Sequence, residues 1–235
     1  MNDKVSVIIP TYNCGDTLDR CIHSVLNQTY PTVEIIIMND CSTDKTTEVL
    51  KKYREYSNIT ILHNNKNYGK FVSVNIGIQH ANGKYITILD ADDVLHEDKI
   101  RQQIIVFNLF DNCVAVFHNI LIYNLDGSSK VRNNGEISVM FKKKDILESI
   151  GYFDSNRYGC DTEFKDRLHK HFDKNRIIMI NKVLYIAYKR MNSLTTNSIT
   201  GSHSVYRKIY ENNYRKWHRN TQNLYVDFPL HKKLF

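Results

Sequence analysis

Short β-branched runs alternate with amphipathic stretches through the first half of this chain, and that alternation restricts the fold more than any other feature. Residues 5–9, 33–38, 59–63 and 85–89 read as buried strands, with Pro10 stopping the first. Between them, residues 17–27 carry Leu18, Cys21, Ile22, Val25 and Leu26 at helical spacing. Residues 44–56 read as a helix with Asp44 near its start, where a carboxylate suits the helix dipole. Residues 71–81 read as a helix ended by Asn82-Gly83. Three strand–helix–strand units in succession require a parallel sheet with right-handed crossovers.

The second half is less regular. A helix over 97–110 and a strand over 114–123 lead to the hairpin signal Asp126-Gly127. A strand over 137–141, a short helix over 145–149, a helix over 161–171 and a β-rich stretch over 177–188 follow, implying antiparallel additions to the sheet. A last helix beyond Gly201 aligns Tyr206, Tyr210, Tyr214 and Trp217 on one face. With 235 residues, 42% hydrophobic, the chain suits one domain with a C-terminal appendage. No apolar run approaches the roughly 18 residues of a membrane span. His118 and Asn119 interrupt the best stretch, 114–123. Five cysteines without a C-x-x-C pair and no secretory signal fit reduced thiols, and a cytoplasmic location is expected. The net charge of +7 is compatible with nucleotide diphosphates, anionic lipid, acidic glycans or nucleic acid and selects none.

Asp90-Ala91-Asp92-Asp93 closes the fourth strand. A buried strand ending on carboxylates places hard oxygen ligands at the mouth of a sheet, where open α/β folds bind ligands. Oxygen-only ligands suit Mg²⁺ or Mn²⁺ rather than zinc. Capping and turn formation are the plainer roles for such aspartates. No G-x-G-x-x-G or G-x-x-x-x-G-K-[ST] follows any strand, so a bound nucleotide would need another hold on its phosphates.

Six segments, in order from about residue 5 to 197, resemble the family 2 inverting glycosyltransferases of GT-A fold. They are Val5 through Asn13; Asn39-Asp40-Cys41-Ser42-Thr43-Asp44; Asn67-x-Gly69 with Asn75-x-Gly77; Gly83 through Asp93; Gly151-Tyr152-Phe153-Asp154 with Gly159-Cys160-Asp161-Thr162-Glu163-Phe164; and Arg190 through Thr195. The resemblance implies a mostly parallel central sheet flanked by helices, with a smaller antiparallel extension. Residues 1–200 would form the catalytic domain, with 1–110 holding the donor and 111–200 the acceptor, and 201–235 would form a basic, aromatic helix and tail. It implies transfer from a UDP-sugar to a glycan, lipid-linked or protein acceptor. Pro10, Thr11 and Tyr12 would line the nucleotide loop, with Tyr12 stacked on uracil and Asp40 accepting its imide N–H. Asp90 and Ala91 would adjoin the ribose. Asp92, with Asp90 directly or through water, would hold Mn²⁺ or Mg²⁺. Lys70 would contact the nucleotide or its phosphates, and Asp161 would be the general base, against a plain role as N-cap of the helix after it.

The chain departs from the family at Asn39 for Asp, Cys41 for Gly, Val74 for a frequent Arg, and Cys160 for Glu. Lys70 is expected to compensate for the lost Arg, and Cys160 to alter acceptor recognition. The rival readings are a degenerate nucleotide-sugar-binding protein and a nucleotidyltransferase. The second lacks the Gly-rich loop it requires. His203 is weighed between folding over the diphosphate and lying on the surface. Residues 205–219 carry five Lys/Arg against one Glu, so contact with an anionic membrane is weighed against packing on the domain. No nucleic-acid module accompanies them. A homodimer is left open.

Overall fold

A computed structural model describes residues 3–133, 135, 139–191, 201 and 204–229. The parallel half is as the alternation requires. β1 (Val5–Thr11) pairs with β2 (Val33–Asn39) and β4 (Tyr85–Ile88), and β2 with β3 (Ile59–His63), all parallel. α1 (Leu18–Leu26), α2 (Thr46–Lys51) and α3 (Lys70–His80) make the crossovers. These strands lie between helical layers, so β1 is buried at every position.

Two expectations change here. β1 runs through Pro10 to Thr11 instead of stopping, pairing with Met38 and Asn39. Leu89 N–H donates to Ile8 O, so the even-numbered residues of β1 face β4. The β4 ladder ends at Ile8–Ile88, and the missing N–H of Pro10 falls beyond its last rung. α2 is shorter than the expected 44–56. Lys52, Tyr53 and Tyr56 N–H groups bond three residues back, so the helix tightens into turns after Lys51.

The carboxylate segment is followed by the two-residue strand β5 (Val94–Leu95) and by α4 (Lys99–Leu109). β6 (Ala115–Tyr123) and β7 (Ser129–Arg132) form the hairpin. β8 (Met140–Lys142) is antiparallel to β4 and β6, whereas β9 (Ile177–Tyr188) is parallel to β6 and antiparallel to β5. The main path of the sheet is β3-β2-β1-β4-β8-β6-β9-β5, mixed but with the longer ladders parallel. α5 (Lys143–Ser149), α6 (Cys160–His171) and α7 (Val205–Asn220) complete the chain.

Each sheet face has its own core. α1, α2 and α4 cover one, and α3, α5, α6 and α7 cover the other. α7 runs alongside α6 in the same direction. Its Tyr210 hydroxyl donates to Asp154 at 2.8 Å, Tyr214 donates to Asp166 at 2.9 Å, and His218 Nε2 lies 2.9 Å from Glu163. Behind these, buried Arg167 pairs with Glu163 and donates to the carbonyls of Ile150 and Tyr152. The expected aromatic face is therefore partly inward: Tyr210 and Tyr214 are buried, while Tyr206 lies one turn before the start of α6 and is exposed. Val226 then bonds Ile150 and Tyr152, tying the segment after α7 to the same layer.

Candidate active site

The C-terminal ends of β1, β2 and β4 open on one mouth, the position where an α/β sheet offers backbone and side chains to a ligand. Thr17, which caps α1, and two side chains of α1 hold the carboxylate segment by its carbonyls. Thr17 Oγ1 donates to Ala91 O at 2.9 Å, Cys21 Sγ to Asp90 O at 3.5 Å, and Arg20 to Asp92 O at 3.0 Å. Ala91 is buried and acts through its backbone.

Carboxylate oxygens of Asp90, Asp92 and Asp93 come within 4.8 Å of one another. This donor set fits a hard divalent cation such as Mg²⁺ or Mn²⁺. The three differ in availability. Asp93 is buried, with one oxygen taken by the Tyr185 hydroxyl at 2.8 Å and the other by Tyr188 N–H at 2.9 Å. Burial, with Asp92 and Asp90 beside it, pushes its carboxyl well above the usual range. Asp90 holds Lys70 at 2.7 and 2.8 Å from its two oxygens. Burial raises the Asp90 pKa; Lys70 opposes the shift without cancelling it, and Asp92 and Asp161 add to it. Asp92 pairs through Oδ2 with Arg190 Nε at 2.7 Å, and among the described residues no hydrogen bond reaches its Oδ1. Asp92 is thus the most available ligand.

Lys70 opens α3. Burial works against its charge, but Asp90, Asp161 and Asp92 outweigh it and the pKa is raised. The charge of Asp161 acts on both Lys70 and Asp90, so Asp161 stands near the carboxylates that follow β4. Asp161 is not the helix cap. Gly159, at φ +77°, occupies that position, and Asp161 stands in the first turn with Oδ1 accepting Thr162 N–H at 2.9 Å.

Asp40 is buried and braces the entry to α3. One oxygen accepts from Asn64 Nδ2 at 2.8 Å and Tyr68 N–H at 2.9 Å, and the other from Gly69 N–H at 2.7 Å. A carboxylate offers about four lone-pair sites, so acceptor capacity remains. Thr11 is also buried; its hydroxyl donates to Ile9 O and its carbonyl accepts Asp40 N–H, so it shapes the loop beneath Tyr12. Tyr12 is 45% exposed at the end of β1, just beyond Pro10.

The departures now have local explanations. Asn39 Oδ1 accepts Ser42 N–H while Nδ2 lies 3.1 Å from His63 Nδ1, a donor that an aspartate cannot supply. Cys41 sits at φ +62°, a left-handed conformation that favours the glycine it replaces. Val74 is wholly buried in the core, and Lys70, one turn earlier, pairs its cation with Asp90. Cys160 is buried with its thiol directed to Asn156 O and Tyr158 O, against Tyr210. It belongs to the α6–α7 packing.

Sequence reading identified Arg190 only as part of a motif; the structure pairs it with Asp92 and brings it to Asn13 O and Cys14 Sγ. It also missed Arg157, which donates to Asn67 Oδ1 and O and thereby joins the loop before α3 to the segment before α6. Its position between the two glycine-bearing segments was the available signal. Asn192 through Thr195, and His203, lie outside the described residues.

This sheet order, with carboxylates at the end of β4, is that of the GT-A fold. Residues 6–215 match the Glycosyl transferase family 2 profile, and the chain belongs to that family. Glycosyltransferase GlyG of Streptococcus pneumoniae is 28% identical over 225 residues, covering 83% of this chain and 73% of that protein. The UDP-Glc:alpha-D-GlcNAc-diphosphoundecaprenol beta-1,3-glucosyltransferase WfaP of Escherichia coli is 42% identical over 102 residues, covering 43% and 40%. The chain spans about half or less of the length of several other relatives it matches. Among solved structures, S. aureus TarS 1-349 in complex with UDP-GlcNAc superposes with a TM-score of 0.70 at 21% identity, covering 81% of this chain and 60% of that one. A mannosyltransferase from Pyrobaculum calidifontis in complex with GDP-Man and Mn²⁺ gives 0.64 at 19% identity, covering 82% and 59%.

Proposed function

We propose that this chain transfers a sugar from a UDP-sugar to an acceptor hydroxyl with inversion at the anomeric carbon. The observation that carries the reading is the single mouth that gathers Asp90, Asp92, Lys70 and Arg190 with Asp161. Tyr12, at the exposed rim, stacks on the uracil. The remaining acceptor capacity of Asp40 takes the imide N–H, which uracil has at that edge and cytosine lacks. Asp90, steadied by Lys70, would face the ribose or assist in holding the ion, and Asp92 would be the main side chain to hold Mn²⁺ or Mg²⁺. When bound, that ion stabilises the charge developing on the departing diphosphate. Lys70 and Arg190 add fixed positive charge to the same side.

Asp161 takes the proton of the acceptor hydroxyl as its oxygen forms the bond to the anomeric carbon. The bond from that carbon to the diphosphate breaks, its electron pair leaving with UDP, and an α-linked donor yields a β-linked product. The UDP-GlcNAc complex of TarS and the UDP-Glc donor in the name of WfaP support a uridine nucleotide. The Mn²⁺ in the mannosyltransferase complex supports the ion.

The test is UDP release from a panel of UDP-sugars with Mn²⁺, with a mixed hydroxyl-acceptor extract added. One preferred donor, with release abolished by EDTA and by Asp92→Asn, is expected. UDP binding without release under every condition would instead identify a binding protein, and pyrophosphate release a nucleotidyltransferase.

A further inference from the structure

The outward side of α7 combines apolar and cationic residues. At 100° per residue, Val205, Ile209, Asn212 and Lys216 fall on the side opposite buried Tyr210, Tyr214 and His218, with Lys208, Arg215 and Arg219 along one flank and Tyr206 and Asn213 along the other. Val205 is 68% exposed, Tyr206 59% and Ile209 50%, so the first two turns present a contiguous apolar end to solvent. Cations follow along the same side. Arg215 is drawn toward Asp166 at 3.8 Å, but among the described residues no carboxylate pairs with Lys208, Lys216 or Arg219. The only acid of the helix, Glu211, lies toward the inner side.

The location matters as much as the composition. α6 and α7 begin at the same end of the molecule, and Tyr210 packs against Gly159 and Cys160. The exposed apolar turns of α7 therefore project beyond the start of α6. The helix is anchored by its inner hydrogen bonds to Asp154, Asp166 and Glu163, so the outer side is rigidly presented.

We infer that the outer face of α7 docks on an anionic lipid bilayer, with Val205, Tyr206 and Ile209 entering the interface and Lys208, Lys216 and Arg219 meeting the headgroups. Apolar insertion plus cation–headgroup attraction is the chemistry of a surface-lying helix. An acidic protein would use the cations but leave the apolar end without a role. Docking itself is independent of the transfer reading. Only its consequence, an acceptor mouth held at a membrane surface, rests on that reading.

Sedimentation with vesicles tests this on the full chain. Binding is expected to vesicles of phosphatidylcholine with about a third phosphatidylglycerol, weakening as salt screens the cations, and not to phosphatidylcholine alone. Ile209→Glu, and separately the pair Lys208→Gln with Lys216→Gln, should each weaken binding on the order of tenfold or more. Melting temperature and UDP binding, measured in parallel, should not change, which separates loss of docking from loss of fold or of the donor site. Several results would overturn the inference: no binding to anionic vesicles, equal binding to neutral ones, or full binding by Ile209→Glu. Binding of the polyanion polyglutamate as tightly as vesicles, without a contribution from Ile209, would assign the face to an acidic partner. Conversion of a dimer to a monomer by Ile209→Glu would assign it to a second copy of the chain.

Discussion

Lys70 and Asp90 form a two-pronged charge pair at the mouth, with Nζ 2.7 Å from Oδ1 and 2.8 Å from Oδ2. They come from adjoining elements, the first residue of α3 and the second residue after the end of β4, so the pair fixes the helix against the strand edge. It also opposes, without cancelling, the rise in pKa that burial imposes on Asp90.

Lys70→Met should therefore damage the donor site more than the fold. Asp90 loses its cation and is driven further toward protonation by burial and by Asp92. UDP affinity measured by calorimetry at pH 7 is expected to fall at least tenfold, about 1.4 kcal/mol or more, with recovery in Lys70→Arg. Unchanged affinity in Lys70→Met would remove this pair from ligand binding.

Cys41→Gly is expected to stabilise the protein. A side chain at φ +62° costs about 1 kcal/mol relative to glycine, partly offset by the greater freedom of glycine in the unfolded chain. For a chain of this size that corresponds to a rise of about 2–4 °C in melting temperature. Calorimetry would show it directly, and a lower melting temperature would mean that the Cys41 thiol contributes more than its backbone costs.

The parallel half of the fold was legible because β1, β2 and β4 are continuous apolar runs and α1 repeats its apolar residues at helical spacing. β5 was not, since two residues carry no period. Lys99 and His118 lie in segments read correctly as helix and strand, yet both are wholly buried, an outcome set by tertiary packing that a charged or polar letter does not announce. At the site, the clustering of Asp90, Asp92 and Asp93 was visible as a local string. The pairing of Asp92 with Arg190 was not, because it depends on the chain returning through β9 nearly a hundred residues later. The orientation of Cys160 was equally hidden, as it is decided by the docking of α7.

Buried Lys99 donates to Thr87 Oγ1 at 2.7 Å, and burial lowers its pKa to about 7. Below that pH the folded and unfolded states both carry the proton. Between about 7 and the unfolded value of 10.5 the unfolded chain binds more protons, so stability rises with pH by at most about 1.4 kcal/mol per unit. Burial likewise takes His118 down to about 3, so its contribution rises from about 3 to 6.5 and is then complete. Burial raises the thiols of Cys14, Cys21, Cys113 and Cys160, which pull the other way at alkaline pH, so urea unfolding from pH 7 to 9.5 should isolate the Lys99 gain as a difference between wild type and Lys99→Met that grows with pH.

Arg167→Met tests the anchoring of α7. Glu163 is wholly buried and meets Arg167 at 2.8 and 2.9 Å and His218 at 2.9 Å, so removing the guanidinium leaves a buried acid with one partner. Loss of about 3–5 kcal/mol is expected. The double variant Glu163→Gln with Arg167→Met should recover part of it. No recovery would mean that the carbonyls of Ile150 and Tyr152, which Arg167 also serves, dominate the cost.

Asp161→Asn separates chemistry from binding. The carboxamide keeps the shape and can still accept Thr162 N–H through its oxygen, so helix α6 and the melting temperature should be retained. It cannot take the acceptor proton. The turnover rate is expected to fall about 10²- to 10⁴-fold with the UDP dissociation constant little changed, because the charge is lost from the acceptor side of the mouth. Asp92→Asn should do the reverse in one respect, abolishing the response of UDP binding to added Mn²⁺. If instead Asp161→Asn raised the Michaelis constant for the acceptor without lowering the turnover rate, Asp161 would be an acceptor-binding residue. The base would then have to be sought elsewhere at the mouth, and Asp90, already committed to Lys70, is poorly placed to replace it.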